Sequence, residues 1–124
     1  MEFTLHVSLP AADMERAQAW YSEKLGLDSI DTGPGGELRY EAGGTTFSVY
    51  PSTFAGTNQA TAAFLAVSDF DSTIAELKSR GVVLEDYDFG EDFRTVDGIM
   101  ETPDGKAAWF KDSEGNIIGM AAMG

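Results

Sequence analysis

The chain contains one histidine and no cysteine, so its means of doing chemistry are few. The missing thiols remove disulfides, thiolate metal sites and cysteine nucleophiles together. His6 is the one imidazole. In a pocket it titrates near neutral pH and can act as metal ligand, base or hydrogen-bond donor; beside Thr4 and Ser8 on a sheet face it is equally a satisfied polar group. Thr46, Ser48 and Tyr50 alternate along "TTFSVY" and share one strand face. Tyr50 can bond a ligand or simply rim a pocket, and with His6 it forms the candidate catalytic pair. Ala62, Phe64 and Ala66 share another face, as do Ile117, Gly119 and Ala121. One histidine, a few hydroxyls and apolar walls suit the binding of an organic molecule. Trp109 and Phe110 are adjacent and point opposite ways, so one of them can reach such a wall, and spacing does not say which. Residues 86–97 carry Asp86, Asp88, Glu91, Asp92 and Asp97 with Tyr87, Phe89 and Phe93 between them. That pattern fits a lid gripping a flat cation by charge and ring stacking, or a solvated loop. "GPGG" lies between strands rather than before a helix, so it is no phosphate cradle.

These residues need strands and helices to hold them. Phe3, Leu5, Val7 and Leu9 alternate with polar residues, which predicts a strand over 3–9 ended by Pro10. Asp13 reads as a helix N-cap, with Glu15 in the first turn, Lys24 in the last and Gly26 beyond the end. Strands follow over 27–32, 37–42 and 45–50, the last two joined by the hairpin signal Gly43-Gly44. The order then restarts: a strand over 62–67, a helix capped by Asp69 and followed by Gly81, and strands over 82–87, 98–102, 106–111 and 116–121. Gly115 is expected to supply the left-handed residue after the turn at Asp112–Glu114. Gly119 falls inside a strand, where glycine weakens the element and needs a reason.

The restart is an internal repeat of about 55–60 residues, with Asp13 and Asp69 in equivalent places. It predicts an α+β fold: two βαβββ modules forming a curled mixed sheet around a cleft, the helices covering the outer faces. One domain of residues 1–124 is expected, with module one about 1–55 and module two about 60–124. The net charge is −13, from eight Lys and Arg against 21 Asp and Glu. Nucleic acid and anionic membranes are thereby excluded as partners. The acidity serves solubility or attracts cationic ligands. The opening "MEFTLHVSLP" lacks the basic and apolar regions of a signal peptide, and no apolar run approaches a membrane span. A soluble cytoplasmic protein is expected.

"HVSLPAADMERAQAWYSEKLGL" resembles the opening of a vicinal oxygen chelate module. "AAWFKDSEGNIIGM" resembles that superfamily's closing strand-turn-strand, with Ser113 and Glu114 where Pro and Asp are common. The superfamily includes glyoxalase I, bleomycin resistance proteins and extradiol dioxygenases. The resemblance implies that fold, a homodimer and, in metalloenzyme members, one divalent metal held by His and Glu. The positions that correspond to those ligands carry His6, Ser48, Ala62 and Gly119. One ligand in four cannot hold a catalytic metal, so no metal and no cofactor is expected. The resulting expectation is a small-molecule-binding protein of the glyoxalase/bleomycin resistance type, sequestering a cationic or aromatic compound. His6, Ser48, Tyr50, Ala62, Phe64, Trp109 and Gly119 are its candidate contacts. The alternative is a lyase, isomerase or dioxygenase acting through His6.

Overall fold

The computed structural model describes residues 1–122 of the chain. Its elements run in chain order β1 (Val7–Ala11), α1 (Met14–Leu25), β2 (Asp31–Thr32), β3 (Leu38–Ala42), β4 (Thr45–Pro51), β5 (Thr61–Val67), α2 (Phe70–Ser79), β6 (Ile99–Thr102), β7 (Gly105–Lys111) and β8 (Ile117–Ala122). They form two βαβββ sets, each a four-stranded mixed sheet with one helix: β1-β4-β3-β2 and β5-β8-β7-β6. The architecture is α+β, as the repeat implies. Two compact units result. The first comprises residues 1–57 and 113–116, the second, among the described residues, 58–112 and 117–122.

In the first unit β1 runs parallel to β4, with Leu9 beside Val49 and Ser8 beside Ser48. β3 lies antiparallel to β4, with Tyr40 opposite Phe47. Alternation sends Leu9, Ala11, Leu38, Tyr40, Phe47 and Val49 to one face. Helix α1 covers it: the Tyr21 ring lies 5.5 Å from Tyr40 and 6.0 Å from Phe47. The helix begins where Asp13 accepts from the Arg16 N–H at 3.0 Å and ends at Gly26, which is left-handed at φ 67°. The Gly43-Gly44 hairpin also forms, with both residues at positive φ, as a type I′ turn requires.

In the second unit β5 runs parallel to β8, and β7 lies antiparallel to both β8 and β6. Ala108, Phe110, Ile118 and Met120 share a fully buried face. Lys106 has their parity and reaches Asp71 of α2 at 3.1 Å, which places α2 on that face. The helix buries Phe70, Ile74 and Leu77 and starts where Asp69 accepts from the Ser72 N–H.

Three strand expectations need correction. The first strand occupies Val7–Ala11 rather than 3–9, and Pro10 sits inside it. Proline is tolerated there because β1 is an edge strand, with no strand beyond it in its sheet among the described residues. Phe3 and Leu5 are exposed; the alternation they continue has no strand to pair with. Residues 27–32 reduce to the two-residue β2. Residues 82–87 make no strand, only an isolated bridge from Leu84 to Phe110. Asp86 ties the segment to the following loop: its Oδ1 accepts from Thr95 Oγ1 at 2.8 Å and from the Gly98 N–H at 2.7 Å.

The "DSEGN" turn is pinned into the first unit at three points. Glu114 Oε1 accepts from the Ala12 and Asp13 amides at 3.0 and 2.9 Å, at the start of α1. Arg16 grips both of its oxygens at 2.8 and 2.9 Å, and Ser113 Oγ donates at 2.7 Å. Asn116 Nδ2 donates to the Pro10 carbonyl at 2.8 Å. Gly115 lies against Gly56, backbone to backbone. The Arg16 guanidinium, opposed by burial and helped by Ser113 and the Asp13 amide, draws the Glu114 carboxyl from 4.5 down to about 2.

Candidate functional site

The helix-free face of each sheet carries the candidate contacts. In the first unit Ser8, Pro10, Ser48 and Tyr50 share that face by their pairing, with Thr46 and Arg39 alongside. Ser48 is half-buried and Tyr50 exposed. His6 is exposed and lies just before β1, outside the regular strand. Among the described residues it makes no hydrogen bond or ion pair, so nothing in its unit orients it as a base.

In the second unit the helix-free face is apolar. Gly119 lies between Phe64 on β5 and Trp109 on β7. The register extends the face through Ala121, Ala66, Ala107 and Met100. Trp109 is on this face, and Phe110 is on the helix side, which resolves the choice between them. Ala62 is half-buried, at the point where the β5–β8 register shifts. Phe64 is 56% exposed while Trp109 is buried.

The reason for Gly119 is steric. A Cβ there would stand 2.7 Å from Phe64 Cδ2 and 3.0 Å from Trp109 Nε1. The two rings close over the glycine, and no side chain fits beneath them. Replacing Gly119 by alanine should therefore cost about 2 kcal/mol through overpacking, measured by urea unfolding. The Phe64→Ala background should relieve most of that cost. A loss below about 0.5 kcal/mol in the wild-type background would show instead that the rings move aside freely.

A divalent metal does not fit these residues. The positions that the resemblance assigns to ligands offer one imidazole, one hydroxyl, one methyl group and a bare Cα. Among the described residues no group of three or more His, Cys, Asp or Glu is gathered to hold an ion. The glycine position is moreover closed by Phe64 and Trp109.

An aromatic feature beside this face is only half visible in the sequence. Residues 87–95 form a hairpin, with the Thr95 N–H bonded to the Tyr87 carbonyl and the Phe89 N–H to that of Phe93. The Tyr87 ring meets Trp109 edge-on at 5.9 Å, and Phe93 lies 5.2 Å from it. Burial raises the Tyr87 hydroxyl above its usual pKa. The alternating aromatics were legible; their docking on Trp109 depends on a residue more than ten positions away.

No described helix is long and apolar enough to cross a membrane. The Glyoxalase/Bleomycin resistance protein/Dioxygenase superfamily model matches residues 4–120. Among solved structures, the chain is similar to TnmS3, an antibiotic binding protein from Streptomyces sp. CB03234. The identity is 26%, the match covers 100% of this chain and 98% of that one, and the TM-score is 0.72. It is also similar to a glyoxalase/bleomycin resistance protein from the same Streptomyces, at 28% identity, 94% and 96% coverage and TM-score 0.66. A lactoylglutathione lyase from Agrobacterium tumefaciens shares the fold at 14% identity, 98% and 94% coverage and TM-score 0.71. No curated protein matches the sequence. With the family model spanning nearly the whole of a duplicated βαβββ chain, this protein belongs to the Glyoxalase/Bleomycin resistance protein/Dioxygenase superfamily.

Proposed function

We propose that the chain is a metal-independent binding protein, acting as a homodimer, that sequesters a small aromatic or cationic organic compound without converting it. One observation carries this reading. The second unit has a helix-free sheet face on which Phe64 is 56% exposed, beside the buried Trp109 and next to Ala66 and Ala121. An exposed apolar face of this kind marks a binding surface more often than an accident of folding. The similarity to an antibiotic binding protein supports it, and so does a net charge of −13 that favours cations. Within the first unit, Ser48 and Tyr50 on its helix-free face and His6 just before β1 are proposed as hydrogen-bonding contacts for such a compound.

The test is titration with daunorubicin, a flat polycyclic amine, followed by isothermal calorimetry before and after exhaustive dialysis against a chelator. The expected result is saturable binding that dialysis leaves unchanged, weakened about ten-fold by Phe64→Ala through loss of ring contact. Absence of saturable binding, or its disappearance on chelation, overturns the reading.

A further inference from the structure

The hairpin of residues 87–95 has two unlike sides. Tyr87, Phe89 and Phe93 lie on one side, because 87 and 89 share parity and Phe93 pairs directly with Phe89. Asp88 and Arg94 bridge each other on the other side. The aromatic side is a stack that starts at the buried Trp109 and runs outward. Phe93 and Tyr87 touch Trp109. Phe89 then lies nearly parallel to Tyr87, at 20° and 5.9 Å, and 5.7 Å from Phe93. The stack ends in solvent, with Phe89 75% exposed. This exposed ring stands at the turn, where Asp88, Glu91 and Asp92 are its neighbours in sequence. Residues 86–98 hold five carboxylates and a single base, Arg94.

Side-chain hydrogen bonds tie the base of the hairpin that carries the stack. Asp86 Oδ1 accepts from Thr95 Oγ1 at 2.8 Å and from the Gly98 N–H at 2.7 Å. Thr95 Oγ1 in turn accepts from the Tyr87 N–H at 2.8 Å, and Thr95 is buried. The clasp closes the base of the hairpin and fixes the residue that carries the first ring. Gly98, at φ 81°, lies so close to Leu84 that a Cβ would come within 2.5 Å of it, which seats the far end of the loop.

We propose that this hairpin is a preorganised stacking subsite for a flat cationic ring, with Phe89 as the contact surface and Asp86 and Thr95 as positioning residues. It rests on the small-molecule-binding reading above and specifies the ligand class: a delocalised aromatic cation. The ring quadrupole attracts such a cation to the face of Phe89. The surrounding carboxylates raise its local concentration and reject an anion of the same shape. Preorganisation by the clasp spares the ordering cost that a mobile loop would incur on binding.

The experiment compares N-methylacridinium with acridine at mildly alkaline pH, where the second ring system is neutral and nearly the same shape. Binding is followed by quenching of protein fluorescence. The cation is expected to bind at least about ten-fold tighter than the neutral ring. Phe89→Ala should weaken the cation about ten-fold. Thr95→Val, which keeps the shape and removes the hydroxyl, should weaken it similarly and change the near-ultraviolet circular dichroism of the ring stack. Thr95→Ser, which restores the hydroxyl, should recover both to within about two-fold. Equal binding of the two ring systems, or unchanged binding of the cation by Phe89→Ala, overturns the subsite. If daunorubicin binds and N-methylacridinium does not, the subsite falls and the binding function stands. If neither binds, both fall.

Discussion

Glu114→Ala is expected to lose about 3 kcal/mol of folding stability. The carboxylate is fully buried while its partner Arg16 is half in solvent. Removing it strands the Ala12 and Asp13 amides and leaves the guanidinium unmatched. The depression of its pKa from 4.5 to about 2 corresponds to stabilisation of the same size. The sign follows from linkage. A carboxyl whose folded pKa is lowered contributes fully above the unfolded value of 4.5, and the contribution fades as pH falls toward about 2. Urea unfolding of the wild type and Glu114→Gln should therefore differ clearly near neutral pH and converge toward pH 2. A gap that stays constant across that interval would mean that the ionised form carries no special weight.

Gly115→Ala is expected to cost about 3 kcal/mol as well, for a different reason. The residue sits at φ 86°, where a Cβ meets its own backbone at a cost of about 1–2 kcal/mol. That Cβ would also stand 2.8 Å from the Gly56 Cα, and backbone cannot rotate out of the way as a side chain can. Overpacking adds about 1–3 kcal/mol. D-alanine introduced by semisynthesis accepts the positive φ and directs its methyl group elsewhere, so it should recover most of the loss. Equal destabilisation by both enantiomers would refute the conformational part of the argument.

The sequence disclosed what short-range chemistry decides. Asp13 and Asp69 cap helices because each needs only the amides of the next turn. Gly26, Gly43, Gly44 and Gly115 take positive φ because local turns demand it. The βαβββ repeat followed from those signals. What stayed hidden was decided across long stretches of chain. Glu114 looked like an ordinary turn residue; its partners lie about a hundred positions earlier. Gly119 stood out as odd, yet its cause is the Phe64 ring on another strand. Residues 82–87 had the composition of a strand but make only the isolated bridge from Leu84 to Phe110, while the Asp86 side chain ties the segment to Thr95 and Gly98 further along the chain. Phe3 and Leu5 kept the alternation but had no neighbouring strand. For the candidate site, the apolar character of the Phe64–Gly119 wall was legible, and the aromatic hairpin docked beside it was not.

The "DSEGN" turn has a consequence for how such a chain can be divided. The repeat suggests a gene made of two copies that could be separated at Thr57. A fragment ending there would contain every strand and the helix of the first unit, yet it would lack the carboxylate at the start of that helix, the amide that holds Pro10 and the glycine that packs on Gly56. Each is encoded in the second half. The boundary of the repeat and the boundary of the folded unit do not coincide: the first unit is completed by residues 113–116 of the second half.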